Sequence, residues 1–150
     1  MITIQVKPSV KLLVDKSILV KAAQVTLGLT DHLNKTDVSI VVGNDILLHK
    51  LNHQYRGVDA TTDVLSFPSG EIDPDTSDLY LGDVVISLPQ AEQQAATENH
   101  PLQDELQLLV VHGVLHLLGY DHLKSTDKQR MQTIQDRALK ALDVRLDMRL

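Results

Sequence analysis

At 150 residues the chain has the length of one domain and can bury a substantial core. Apolar residues make up 43%, with a single Phe and no Trp, so the expected interior is aliphatic. Cysteine is absent, which excludes disulfides and thiolate ligands and leaves His, Asp and Glu for any metal. A formal charge of -6 argues against a broadly basic, phosphate-neutralising surface, so any nucleic acid must meet a local positive potential.

Residues 2–6 alternate as a strand does, and the start of the chain lacks the basic-then-apolar layout of a signal peptide. Residues 12–27 carry apolar side chains at helical spacing and stop near Gly28, a candidate C-cap. A second strand is expected over 37–42, then a helix over 45–55, then a strand over 63–67 ended by Pro68. The acidic stretch 69–79 has the composition of a loop, and 81–87 that of a fourth strand. Pro89 opens a helix, Pro101 opens a longer one over 102–118, and Ser125, Thr126 and Asp127 offer N-caps for a last helix to about residue 142. The expected fold is α+β: a single domain over 1–150, with a mixed sheet of about four strands packed with about five helices. The longest apolar stretch, 106–120, is too short for a membrane span and contains two histidines. A cytoplasmic protein with no membrane partner is the expectation.

That stretch carries the chemistry. His112 and His116 are four apart and project from one helix face at adjacent turns, so two imidazoles can reach one ion. Gly119 follows the last helical position and can reverse the chain, bringing His122 back as a third ligand. Three imidazoles with an open position make the pattern of a catalytic zinc site, one Zn(2+) per chain; a structural site closes with four protein ligands. The surrounding helix is apolar nearly all round, so the two rings are expected to be buried and in need of partners. Asp121, beside the third ligand, either orients an imidazole or is a solvated turn residue. His32, His49, His53 and His100 have no ligand spacing to the triplet and are expected at the surface. The same His spacing occurs in metallopeptidases, which place Glu after the first His as general base. Here Gly113 stands there, which points away from peptides and towards a phosphodiester, cleavable by a metal hydroxide with a cationic clamp on the phosphate.

Four segments resemble the YbeY family of bacterial rRNA-maturation endoribonucleases: Tyr55-Arg56; Thr62 through Pro68 (TDVLSFP); Leu81 through Ser87 (LGDVVIS); and His112 through His122 (HGVLHLLGYDH). They occur in the family's order, and the last identifies it by itself. The resemblance implies a complete protein that acts as a cytoplasmic metal-dependent endoribonuclease on single-stranded RNA, in maturation of the 16S rRNA 3′ end and ribosome quality control. Single-stranded rRNA and the ribosome, or small-subunit assembly intermediates, are the implied partners. His112, His116 and His122 match the family's metal ligands, and Arg56 matches its functional arginine. An arginine suits a phosphate clamp because its planar fork donates parallel hydrogen bonds and keeps its charge; a surface arginine closing a helix is the plainer reading. Asp83 matches an acidic position, as a residue that orders Arg56 or caps a turn. Thr61, Leu123 and Arg130 depart from the residues common in relatives, all outside the proposed ligand set. Two other readings are a ribosome-assembly factor whose metal only holds the fold, and a metallopeptidase-like hydrolase.

Overall fold

The computed structural model describes residues 1–121 and 125–144. Four strands and five helices follow one another as β1 (Ile2–Val6), α1 (Lys16–Leu29), β2 (Thr36–Gly43), α2 (Asp45–Arg56), β3 (Val64–Ile72), β4 (Leu79–Ser87), α3 (Leu88–Glu98), α4 (Leu102–Leu117) and α5 (Ser125–Ala141). The strands form one mixed sheet in the order β1-β2-β4-β3. β1, β2 and β4 run parallel, and β3 pairs antiparallel with β4 at the edge.

Strand side chains alternate between two faces, and here the faces differ. Val38, Ile40 and Val42 of β2 and Val84 and Ile86 of β4 belong to the main core with α1, α4 and α5. The intervening Val41 and Val85 join Leu48, Leu65 and Phe67 in a smaller cluster beneath α2. α4 is the central helix: its residues 105–111 and 113–115 are buried, the polar Glu105 and Gln107 among them, which accounts for its mostly apolar pattern. Among the described residues, no helix is long and apolar enough to cross a membrane.

Three of the boundaries that differ from expectation have a clear local reason. α1 begins at Lys16 because Asp15 Oδ1 accepts the Ser17 N–H at 2.9 Å and caps the helix there. It also runs past Gly28 to Leu29, where the C-cap is Thr30, whose hydroxyl donates to the Thr26 carbonyl at 2.9 Å. β3 continues through Pro68 to Ile72 and turns most of the expected acidic loop into a hairpin with β4. A proline is tolerated there because β3 is an edge strand, and the register slips between Pro68 and Glu71.

Candidate metal centre

α4 ends as its glycine suggests. Gly119 has φ of 94°, and Tyr120 N–H reaches back to the Leu115 carbonyl at 3.0 Å while Gly119 N–H reaches His116 at 3.0 Å. These bonds satisfy the last helical carbonyls and turn the chain. His112 and His116 are both half-buried. That departs from the expected burial: the rings edge a cavity of about 540 Å³ shared with Arg56, Asp63, Ser66 and Asp121.

The two rings turn their Nε2 atoms towards each other. Nε2 of His116 stands 3.0 Å from Nε2 of His112, with the ring planes at 65°. Two nitrogens bound to one tetrahedral zinc at 2.0–2.1 Å would stand about 3.3 Å apart, so small ring rotations admit the ion. Neutral imidazole is also a donor that zinc favours. The donor set fits. Among the described residues the pair is not joined by a further metal-binding side chain; His122, the expected third ligand, lies outside them.

Arg56 closes α2, where Gly57 takes the left-handed conformation that ends the helix. Its Nη1 donates to Asn52 Oδ1 at 3.5 Å. Asn52 is itself buried and donates to the Ala60 carbonyl at 2.9 Å, tying the helix end to the following loop. Arg56 makes no ion pair among the described residues, so its charge is available to an anion in the cavity. Thr61 donates to the Asp45 carbonyl at 3.2 Å and fastens the same loop to the start of α2.

Asp83 is not beside the histidines. Gly82 has φ of 143°, and a Cβ there would meet the Phe67 carbonyl oxygen at 2.2 Å; this glycine sits next to the point where the β2–β4 register shifts. From there Asp83 points to the face opposite α4, with Lys7, Tyr55 and Phe67. It accepts a hydrogen bond from the Tyr80 hydroxyl. Burial and that bond raise the Tyr80 pKa above its ordinary value. Among the described residues Asp83 has no hydrogen bond with Arg56 and does not line the cavity of the two histidines. Asp121 does line the cavity. Of the four histidines expected at the surface, His100 is largely enclosed, its Nε2 2.9 Å from buried Glu105; His49 is exposed and meets Asp59 at 2.6 Å.

Two residues with no assigned part in the sequence reading also face this region. Asp63 lines the cavity, its Oδ1 accepting the Val64 N–H at 2.8 Å and its Oδ2 the Gln94 amide at 3.2 Å. Gln135 of α5 places Oε1 3.4 Å from His112 Nδ1; the available signal was a glutamine interrupting an apolar stripe. Gly113 has a steric reason. A Cβ there would meet Val84 Cγ1 at 2.5 Å, because α4 presses directly on β4, and the Gly113 carbonyl accepts from Ser66 Oγ at 2.8 Å. The glutamate of a metallopeptidase has no room at that position.

The family model described as Endoribonuclease YbeY matches residues 4–143. Among curated relatives, Endoribonuclease YbeY of Pelotomaculum thermopropionicum is 45% identical over 140 residues, covering 89% of this chain and 92% of that protein. Its counterpart in Roseiflexus castenholzii is 40% identical over 147 residues, covering 95% and 92%. The solution structure of TM1509 from Thermotoga maritima superposes with a TM-score of 0.62 at 25% identity, covering 95% of this chain and 89% of that one. With the histidine pair, the arginine and the fold all in place, these matches leave one assignment: the chain belongs to the YbeY family.

Proposed function

We propose that this protein is a zinc-dependent endoribonuclease that cuts single-stranded RNA at the cavity between α4 and the end of α2. The observation that carries the reading is the meeting of two Nε2 atoms, 3.0 Å apart, with an arginine that has no ion pair among the described residues on the wall of the same cavity. The name of the relatives, Endoribonuclease YbeY, supplies the substrate class. His112, His116 and His122 would hold the ion, the third by its place in the motif. A bound zinc would supply a water acidified to a pKa of about 7 and positive charge for a phosphoryl oxygen.

The chain's own groups divide the remaining work. The Arg56 guanidinium binds a non-bridging phosphate oxygen and stabilises charge as it builds there. Asn52 holds that guanidinium from behind through Oδ1. The carboxylates on the cavity wall are those of Asp63 and Asp121, placed to accept a proton from water or from a 2′-hydroxyl. In the cell, we place the protein in the cytoplasm, acting on rRNA of small-subunit intermediates in maturation of the 16S 3′ end and ribosome quality control. The family likeness supports that assignment.

The test is an assay of zinc-loaded protein against single-stranded rRNA fragments, with zinc-treated His116→Ala as control. Cleavage by the wild type and none by the variant is expected. A fully zinc-loaded wild type that cuts no RNA, while ligand variants lose only stability, would make the metal a structural element and overturn the reading. End-group analysis then separates the two possible attacks: a cyclic phosphate marks the 2′-hydroxyl as nucleophile, and a linear phosphate marks water.

A further inference from the structure

α5 carries a polar side chain where its packing favours an apolar one. The buried residues of that helix are Met131, Gln135, Ala138 and Leu139, a single stripe at helical spacing. Gln135 within it is 0% exposed. A glutamine sealed from water is unfavourable unless its amide is hydrogen-bonded, and an apolar residue of similar volume would carry no such penalty. Its Oε1 faces His112 Nδ1 at 3.4 Å, the ring nitrogen other than the one directed at His116.

We propose that Gln135 is a positioning residue for the metal centre: its amide oxygen accepts the Nδ1–H of His112, which fixes the tautomer with an unprotonated Nε2 and aims that nitrogen into the cavity. The proposal rests on His112 being a ligand, yet the tautomer it names exists without metal. A neutral imidazole carries one proton, on either nitrogen, and only the Nδ1-protonated ring offers Nε2 to an ion. A glutamine could select either form. Turned to present its NH₂, it would put the proton on Nε2 and block the ligand position; with Oε1 towards the ring, it selects the form that binds. The proton order is then defined. Nδ1–H of His112 donates to Gln135, and Nε2–H of His116 donates to Nε2 of His112. For both Nε2 atoms to serve as ligands, that second proton would have to move through solvent to Nδ1 of the same His116 ring, while His112 would keep its own. A neutral acceptor behind His112 also leaves the imidazole uncharged, so a bound ion would keep its full double charge for acidifying a water.

Nitrogen-15 NMR of the His112 ring in metal-free protein, at about pH 8 where imidazoles are neutral, reads the tautomer directly. Protonation on Nδ1 is expected in the wild type; protonation on Nε2 overturns the proposal whatever the variants do. Zinc affinity, measured by competition with a chromophoric chelator, is the second readout. Gln135→Met, which keeps the volume and removes the acceptor, is expected to weaken zinc binding by about 10–100-fold, and Gln135→Glu, which keeps an acceptor, to restore it. Unchanged affinity in a folded Gln135→Met protein overturns the proposal. If Gln135→Met does not fold, the wild-type tautomer and the Glu variant still decide it. A wild type that shows the expected tautomer but holds no zinc overturns the metal reading and leaves the hydrogen bond standing.

Discussion

Gly113 shows how one missing side chain sets both packing and chemistry. A methyl group there would come within 2.5 Å of Val84 Cγ1 and 3.1 Å of Cγ2, and Val84 is fully buried on a stiff, β-branched side chain. Two effects compete in Gly113→Ala. Alanine favours a helix interior over glycine by about 0.8–1 kcal/mol, whereas overpacking a close-packed core costs about 1–3 kcal/mol. The clash should win, with a lower Tm in thermal unfolding. Adding Val84→Ala opens the space, so the double mutant should be less destabilised than the sum of the single changes. A Gly113→Ala protein as stable as the wild type would show that α4 can lift off β4. The sequence alone identified this glycine as the absence of a general base. The steric reason was not legible, because it depends on a residue of another element, Val84, meeting α4 from the sheet. His112 and His116 were legible for the opposite reason: their relation is local, one helical turn apart.

At the scale of elements, local signals placed every strand and helix, and errors arose where a polar side chain or a partner strand decided a boundary. Asp15 is the clearest case. Periodicity extended the first helix back to residue 12, but the Asp15 carboxylate captures the Ser17 N–H and starts α1 at Lys16. That hydrogen bond from the Ser17 backbone, with its side chain adding to it, holds the Asp15 pKa below its ordinary value. A depressed folded-state pKa means that the ionised form is favoured by folding. Its contribution is therefore present above the ordinary carboxyl range and disappears as pH falls through the folded-state value. Asp15→Ala should melt below the wild type at about pH 7, and the gap should narrow as pH is lowered to about 3. Asp15→Asn, a good cap without a titrating group, should lack that pH dependence. A gap of constant size at both pH values would separate the cap from its charge. The hairpin of β3 and β4 was illegible for a different reason. Its acidic, turn-rich composition reads as loop, and only pairing with β4 across Glu71–Tyr80 and Ile72–Leu79 makes it a strand.

On the scale of the whole molecule, an acidic chain has to hold a polyanion. Its Asp and Glu outnumber Lys and Arg by 20 to 14, and Arg56 is the one Lys or Arg among the described residues that line the cavity. Binding of single-stranded RNA should then displace few counterions. The slope of log affinity against log salt is about -0.7 for each phosphate neutralised on a single strand, so a site built on Arg56 and one metal ion predicts about -1 to -2. Screening of the surrounding negative charge, effective beyond about 8 Å at physiological ionic strength, flattens the dependence further. Two substitutions separate charge from geometry. Arg56→Ala should reduce the slope by about 0.7 and, at saturating RNA, slow cleavage by about a hundredfold to a thousandfold, the usual loss for a donor at a developing oxyanion. Arg56→Lys keeps the point charge and loses the planar fork; it should hold the wild-type slope and recover only part of the rate. Zinc content and Tm should stay at wild-type values in both, since Arg56 is exposed and among the described residues its side chain donates only to Asn52, at 3.5 Å. A wild-type slope near -5 would mean that RNA lies across a basic surface elsewhere on the protein. Wild-type turnover in Arg56→Ala at saturating RNA would remove the guanidinium from the scissile phosphate and leave it as the closing residue of α2.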